Sequence, residues 1–193
     1  RDKGISDAFN KGIKMASGTL IGLINADDEL LPETSEILKN ECKKIDADIY
    51  YGNCYWVDSE RNLEYVSKPK HDLSKLLYNM VLIHPSTFVK KKAYEECGLF
   101  DVTYKYCMDK ELLYRMYKAG KKFDYIDRCL TKFKAGGVSD THSKAVFKEG
   151  SRMALSYGES QIKVKSIEII KTVRNQMVNM IKETRVYRVL KGI

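Results

Sequence analysis

The sequence predicts an α/β fold in which helices pack against a β-sheet. An apolar run at residues 19–24 has the length and composition of a strand buried on both faces of a parallel sheet. The segment before it, residues 6–17, repeats its apolar side chains at helical spacing. Further along, short strand-like runs alternate with helical segments. A helix followed by a buried strand is half of a βαβ unit, which indicates the α/β class.

The composition is that of an ordinary globular chain with an excess of positive charge. Of its 193 residues, 44% are hydrophobic and 31% are charged, and the formal net charge is +8. This length accommodates one domain with an appendage. The charge indicates an anionic partner, such as nucleotide phosphates, an acidic lipid surface or nucleic acid. No apolar run approaches the ~20 residues that span a bilayer, and no signal peptide opens the chain.

The five cysteines predict a reduced protein. They are odd in number, they are scattered, and no two of them form a C-x-x-C pair. This pattern is typical of packed thiols in the cytosol, and it disfavours a disulfide framework or a zinc site. A cytoplasmic location is therefore expected.

Apolar residues at helical spacing identify the predicted helices. The first presents Ile5, Phe9 and Ile13 on one face, and Gly18 is placed to end it in the left-handed conformation. The other predicted helices cover residues 33–44, 73–80, 92–97, about 143–157, 161 to about 190, and a segment that begins at Met108.

Short runs rich in β-branched and aromatic residues predict the strands. Gly52-Asn53 separates two such runs and predicts a two-stranded ribbon. His84 precedes a proline, so an extended approach to the next strand is expected there. Beyond the run at 19–24, the predicted strands lie at residues 48–51, 54–57, 63–66, 86–89, 123–126 and 130–133.

Two adjacent carboxylates follow the apolar run, in the segment Asn25-Ala26-Asp27-Asp28. Ligands of open α/β sheets bind beyond the carboxyl ends of the strands. Acidic groups at such a place are costly to desolvate, and a divalent metal that carries a phosphorylated ligand would neutralise them. The spacing is equally compatible with Asp27 capping the helix at 33–44 while Asp28 is solvated.

Asp109 lies in the first turn of its predicted helix and faces the same way as Leu112 and Leu113. An inward carboxylate at this position is either a helix-end cap or a working base, and the helix dipole keeps it ionised in both cases. Glu111 points elsewhere and is expected to be solvated. For His84, a satisfied and partly buried histidine is favoured slightly over a functional role.

The last predicted helix is basic and amphipathic. It can pack on the domain, pair with another helix, or lie on an acidic membrane surface, and the first two fates are the more common. The predicted organisation is one α/β domain at residues 1–158 followed by this helix at residues 159–193.

Several ordered motifs together resemble one family. Residues 2–12 are similar to the nucleotide-side helix of family 2 inverting glycosyltransferases, and residues 25–28 resemble their D-x-D metal motif. Residues 84–88 resemble the acceptor-side strand, and Asp109 occupies the position of the catalytic base. Residues 136–139 resemble the loop after the last core strand. The resemblance covers roughly residues 2–150, and the ordered set is more specific than any single motif.

This resemblance implies a partial GT-A fold, a Rossmann-like mixed sheet that binds a nucleotide sugar. Asp28 would hold Mn²⁺ or Mg²⁺ against the diphosphate, and Asp27 would face the metal or the ribose. Asp109 would accept the proton of the acceptor hydroxyl as that hydroxyl attacks the anomeric carbon. His84 would line the acceptor side. The residues that the resemblance assigns to donor binding on the nucleotide side are Asp2, Lys3, Gly4, Asp7 and Asn10.

The implied reaction is metal-dependent transfer of a hexose with inversion. The donor is a nucleotide-diphosphate sugar, expected to be a UDP-sugar, and the acceptor is a glycan or a lipid-linked molecule. The implied setting is cell-surface polysaccharide synthesis in the cytoplasm. Peripheral contact with the inner face of the membrane through the C-terminal helix is the less common alternative to packing or pairing of that helix. No nucleic-acid partner is expected, because the basic residues are spread out and no known reader motif is present.

The chain departs from the family pattern in two ways. Asn25 stands where an aspartate is also common, which removes one acidic contact. Family members begin with a strand and further βα elements that hold the nucleotide, and each βαβ unit takes about 30 residues or more. No such elements precede Arg1. We therefore expect the chain to be part of a longer enzyme, with an open sheet edge that could promote homo-oligomers.

The main alternative is a catalytically inactive, glycosyltransferase-like module that binds a partner through its basic C-terminal helix. Retention of all function after Asp28→Asn and Asp109→Asn would favour that alternative. A nucleic-acid-binding protein is indicated by charge alone. A glycoside hydrolase with Asp28 and Asp109 as its two carboxylates is also conceivable, because the sequence contains no information on their separation.

Overall fold

A computed structural model describes residues 1–59, 62–134 and 143–183 of the chain. Its helices are α1 (Ile5–Met15), α2 (Thr34–Lys44), α3 (Lys91–Cys97), α4 (Met108–Lys118), α5 (Ser143–Ser156) and α6 (Gln161–Glu183), with short 3₁₀ turns at Leu73–Leu77 and His84–Ser86. Its strands are β1 (Leu20–Gly22), β2 (Glu29–Leu30), β3 (Ile49–Asp58), β4 (Leu63–Ser67), β5 (Thr87–Lys90) and β6 (Phe123–Lys134).

The strands form one mixed sheet, which confirms the predicted fold class. The order across the sheet is β1-β5-β3-β6-β2, and β4 pairs with β3 as a side branch. The β3 and β6 strands run parallel, whereas the other pairs are antiparallel. A parallel pair needs a long crossover connection, and the chain between β3 and β6 supplies one that carries β5, α3 and α4.

The apolar run at residues 19–24 is a shorter strand than predicted, and its surroundings differ. Only Leu20–Gly22 is a strand, and it pairs antiparallel with β5 at one end of the strand order. The prediction of a strand buried on both faces of a parallel sheet was therefore wrong, because the apolar run carries no information on the direction of its neighbour. Gly22 lies against the Phe88 ring, where an added Cβ would be 2.6 Å from the nearest ring carbon.

The two central strands are continuous where the sequence predicted interruptions. Ile49–Asp58 is a single strand, so the ribbon predicted around Gly52-Asn53 was wrong, and Phe123–Lys134 is likewise unbroken. A Cβ added to Gly52 would lie 2.6 Å from Cδ1 of Leu130. This glycine therefore marks the close approach of two strands at a register irregularity, not a turn.

One face of the sheet packs on α2 through a compact apolar cluster. Tyr50 is fully buried there, and its hydroxyl donates to the Ile45 carbonyl at 2.6 Å. Thr34 opens α2 and donates through Oγ1 to the Leu130 carbonyl at 2.5 Å, which ties the helix to β6. The members of the cluster are Leu38, Ala47, Tyr50, Phe88, Ile126 and Leu130.

The chain separates into two compact units, residues 1–149 and 150–193. The long C-terminal helix predicted from residue 161 is present as far as Glu183, and residues 184–190 of that prediction lie outside the described part of the chain. The domain boundary placed after residue 158 stays a prediction. Among the described residues, no helix combines the length and apolar character needed to cross a membrane.

The fit of Gly52 against Leu130 predicts a specific stability effect. We expect Gly52→Ala to lower the free energy of unfolding by about 1–3 kcal/mol, because the added methyl group must displace Leu130. Gly12→Ala is the matched control, since a Cβ there meets nothing within 4 Å and helix propensity favours alanine by up to about 1 kcal/mol. Denaturant unfolding measures both changes, and a Gly52→Ala variant as stable as the parent would contradict this account.

Candidate active site

The acidic pair sits on a tight turn between β1 and β2. The Asp28 amide donates to the Asn25 carbonyl at 3.2 Å, which closes the turn. The Asn25 side chain donates through Nδ2 to Asp28 Oδ2 at 2.9 Å, and the Lys134 amide donates to Asp28 Oδ1 at 3.2 Å. Asn25 stands where an aspartate is also common in the family pattern, and its side chain orients the Asp28 carboxylate. The second bond ties the turn to the end of β6.

The two carboxylates have different environments. Asp28 is buried, with 8% of its surface exposed, whereas Asp27 is exposed. Burial raises the pKa of Asp28, and the hydrogen bonds from Asn25 and from the Lys134 amide only partly oppose that rise. The neighbouring Asp27 charge raises the pKa of Asp28 further. A cation bound here would stabilise the ionised Asp28 carboxylate, whose burial is unfavourable.

A cavity of about 470 Å³ opens beside this turn and brings together predicted residues from three parts of the chain. Asp27 comes from the acidic turn, His84 from the 3₁₀ turn before β5, and Asp109 from α4. Asn25 lines the same cavity, whereas the buried Asp28, next to Asp27 in the turn, is not among the lining residues. A cavity with a few converging polar groups is the usual form of a ligand site.

His84 does not lie on a strand approach as predicted. It opens the 3₁₀ turn His84–Ser86, and the extended residue is Ile83, one position earlier. The His84 ring stacks on Phe9 of α1, with 5.6 Å between centroids and 14° between planes. The proline removes one amide donor but is accommodated early in the turn, which explains why the rule for residues before proline failed here.

Asp109 is the second residue of α4, and its geometry is compatible with both predicted roles. Its Oδ1 accepts from the Lys110 amide at 2.7 Å, so it satisfies one free donor of the helix start. The half-buried side chain also lines the main cavity and, with His84, an adjoining cavity of about 20 Å³.

Glu111 is not solvated as predicted. It is buried, and its carboxylate accepts two hydrogen bonds from the Arg115 guanidinium, at 3.0 and 2.8 Å. Arg115 donates in addition to the carbonyls of Cys97 and Leu99. The pair therefore fixes the loop after α3 to α4, a contact that spacing along α4 alone does not reveal.

A second carboxylate orders the cavity wall ahead of α4. Glu149 of α5 accepts from the consecutive amides of Lys105, Tyr106 and Cys107, at 2.8, 2.7 and 3.0 Å. Lys105 and Tyr106 both line the cavity. Glu149 was not predicted, because its partners lie more than 40 positions away and are backbone groups without a sequence signal.

The nucleotide-side residues lie at the start of α1 and make internal contacts. Asp7 accepts from the Lys3 amide at 3.0 Å and pairs with Lys11, whose ammonium also contacts Asp2 at 2.8 Å. The hydrogen bonds from Lys3 and Lys11 lower the pKa of Asp7. Gly4 precedes the helix at φ 137°, a conformation that favours glycine.

Asn10 is engaged in a two-sided contact. Its Nδ2 donates to the Phe100 carbonyl at 2.9 Å, and its Oδ1 accepts from the Phe100 amide at 2.9 Å. The α1 side chains that line the cavity are Ile5 and Phe9. Donor binding by the five nucleotide-side residues stays a prediction, and the cavity brings in their helix through its apolar side chains instead.

Several cavity residues were missed in the sequence. Trp56 and Phe133 are register partners on β3 and β6, with 4.6 Å between ring centroids. Lys105 and Lys134 contribute two cationic side chains to the lining. The single tryptophan was a visible signal, but its place beside the acidic turn follows only from the strand pairing.

The sequence model of the family described as Glycosyl transferase family 2 matches residues 1–116, which is more than half of the chain. An uncharacterized glycosyltransferase of Methanocaldococcus jannaschii is 27% identical over 140 residues. That alignment covers 69% of this chain and 48% of the relative. The chain therefore spans about half the length of the curated relative it matches.

Solved structures show the same fold at low sequence identity. TarS residues 1–349 of S. aureus in complex with UDP-GlcNAc align with a TM-score of 0.59 and 14% identity, over 87% of this chain and 52% of that one. The same TarS region in complex with UDP aligns with a TM-score of 0.58 and 14% identity, over 96% of this chain and 53% of that one. This likeness confirms the GT-A type of α/β fold.

The burial of Asp28 predicts a stability effect with a defined pH dependence. Because the pKa of Asp28 is raised in the folded state, the folded chain holds this proton more tightly, and stability falls as pH rises through that folded pKa. We therefore expect Asp28→Asn to raise the free energy of unfolding at neutral pH, since Asn25 can rotate its amide to meet the new one.

The difference in free energy of unfolding between the parent and Asp28→Asn isolates the contribution of Asp28 from those of the other acidic residues. Denaturant unfolding from pH 4 to 8 should show that difference growing as pH rises. Asp27→Asn removes an exposed neighbouring carboxylate and is expected to change stability less. A destabilised Asp28→Asn variant at pH 7 would contradict this account of the turn.

Proposed function

The chain belongs to glycosyl transferase family 2, and we propose that the protein transfers a sugar, with inversion, from a nucleotide-diphosphate donor to an acceptor hydroxyl. The observation that carries this proposal is the cavity shared by the acidic turn, His84 and Asp109. A metal-binding carboxylate, an acceptor-side group and a base are the parts that such a reaction needs in one place.

We propose that Asp27 and Asp28 hold Mn²⁺ or Mg²⁺ together with the donor diphosphate. Among the described residues, no three His, Cys, Asp or Glu side chains form a ready cage. Mg²⁺ is usually held by one or two carboxylates with substrate phosphates and waters as the other ligands, and the adjacent Asp27 and Asp28 can supply the carboxylates. The desolvated Asp28 beside the exposed Asp27 is a donor set that favours a hard cation. When bound, the ion would stabilise negative charge on the departing diphosphate.

Lys105 and Lys134 support the placement of a diphosphate in the cavity. Both line it, and the backbone amide of Lys134 is the donor that anchors the acidic turn through Asp28. Cationic side chains in a cleft raise the local concentration of an anionic ligand and stabilise charge on a leaving phosphate. A UDP-sugar is the proposed donor, supported by the likeness to TarS, which was solved with UDP-GlcNAc.

Asp109 is proposed as the general base. As the acceptor oxygen bonds to the anomeric carbon, its proton passes to the Asp109 carboxylate and the bond from that carbon to the diphosphate oxygen breaks. A single displacement of this kind inverts the anomeric configuration. The hydrogen bond from the Lys110 amide orients the carboxylate, and Glu149 fixes the backbone just ahead of it.

The aromatic side chains are proposed to bind the acceptor. Trp56 and Phe133 present ring surfaces to the cavity, and His84 stacks on Phe9 at another part of its wall. Such a lining suits the apolar face of a glycan ring or part of a lipid-linked acceptor. Cell-surface polysaccharide synthesis in the cytoplasm is the proposed setting.

One observation favours the alternative of an inactive interaction module. The polar residues of α1 are engaged internally, and Asn10 in particular uses both ends of its amide on Phe100. A nucleotide-binding surface on that side would need these groups, or others supplied by sequence outside this chain. A measurement of catalysis by the cavity residues distinguishes the active transferase from the inactive interaction module.

The test of the proposed function is the Asp109→Asn variant. We expect kcat, followed as UDP released from UDP-sugars in the presence of Mn²⁺ and acceptor, to fall about 10²–10⁴-fold, because the amide cannot accept the proton. Donor affinity should stay unchanged. Asp46→Asn, at an exposed carboxylate paired with Lys90 away from the cavity, is the matched control. Equal kcat in parent and Asp109→Asn would contradict the assigned base.

A further inference from the structure

The helix α6 turns its apolar side outward. Its buried and half-buried positions recur at helical spacing and include Val164, Ile167 and Lys171. The opposite side exposes large apolar side chains, with 81% of Ile162, 65% of Ile170 and 68% of Met180 accessible. The full set of this outer stripe is Ile162, Ile169, Ile170, Val173, Met177 and Met180.

The outer stripe lies on one side of α6, with the polar Ser166 within its sector and the exposed Val178 outside it. At 100° per residue, its six members fall within a sector of roughly 100°, and they extend about 27 Å along the helix axis. Exposed apolar side chains that occur singly are ordinary, but a contiguous stripe of this size indicates a surface that is covered in use.

Positive charges border the stripe. On the helical wheel, the exposed Lys165 lies at one edge and the exposed Arg174 at the other. Glu168 lies on the half-buried side, away from the stripe. Across residues 161–183 there are five Lys or Arg and two Glu, and the ten residues that follow in the sequence add three Lys or Arg and no acid. The chemistry that complements this face is therefore apolar and anionic.

A second copy of the helix complements this face less well. Ile170, Val173, Met177 and Met180 follow the 3-4 spacing of a coiled-coil seam. In a parallel pair, Arg174 would flank the seam and face Ile169 of the other helix. Ion pairs at such flanking positions normally select the partner, and here Arg174 would have no acidic residue to pair with. An acidic bilayer surface accommodates both the stripe and its cationic borders.

We propose that the outer face of α6 binds the surface of an anionic lipid bilayer and lies in the plane of the headgroups. The stripe enters the boundary between headgroups and acyl chains, and Lys165 and Arg174 contact lipid phosphates. The helix lies on the bilayer and does not cross it, in agreement with the lack of a spanning helix in the described residues. The stripe shares no residue with the lining of the cavity, and membrane binding would bring the protein to a lipid-linked or membrane-associated acceptor.

The test is co-sedimentation of the full chain with phosphatidylcholine vesicles, with and without one third phosphatidylglycerol. We expect the partition coefficient to be at least about tenfold higher with the anionic lipid, and to fall as salt is raised. The neutral double change Ile170→Gln with Met177→Gln should lower it about tenfold or more, since it removes two apolar side chains from the stripe.

Thr172→Gln is the matched control, because it is neutral, exposed and outside the stripe, and it should partition like the parent. Circular dichroism checks that all variants keep their helix content. Equal partition of the parent into both vesicle types, or none into either, would overturn the proposal. Light scattering that shows a dimer lost in the double variant would overturn it in favour of a second copy. UDP binding is measured in parallel, and its result tests the proposed function independently of membrane binding.

Discussion

The close parallel pairing of β3 with β6 determines where the chemical groups of the cavity lie. Gly52 lets the strands approach, and beyond that point their register places Trp56 beside Phe133. The end of β6 then supplies the Lys134 amide that holds Asp28. Without this pairing, the acidic turn would lose its anchor and the aromatic wall would lose its partner. The central sheet is thus the scaffold of the site as well as of the core.

The acidic turn beside the cavity holds the Asp28 carboxylate in a fixed orientation, and the burial of that carboxylate costs free energy. Asn25 and the Lys134 amide hold the Asp28 carboxylate in a buried place that raises its pKa, which is unfavourable for the unliganded chain. Glu149 and Arg115 act differently, since they secure backbone segments around α4 without entering the proposed chemistry. A bound cation would offset the cost of the first arrangement, whereas the second already has its charged groups paired in the unliganded chain.

The parts of the site that could be predicted are those with a local signal. The acidic pair after an apolar run and an inward carboxylate at a helix start are visible in short windows, and the structure places Asp27 and Asp109 on one cavity. The misjudged parts depend on neighbours distant in sequence. The direction of β1 is set by β5, Gly52 serves strand contact where a turn was expected, and Glu111 is buried because Arg115 also reaches a distant loop. Burial, unlike periodicity, is a property of the assembled fold.

The measurement that tests the central claim most directly is calorimetric titration of UDP into the chain, with and without Mn²⁺. The account predicts binding that requires the metal and is lost in an Asp27→Ala, Asp28→Ala double variant, while the Glu36→Gln control on the exposed side of α2 binds like the parent. Metal-dependent binding that survives loss of both carboxylates would contradict it, because the acidic turn would then not be the site that holds the metal and diphosphate.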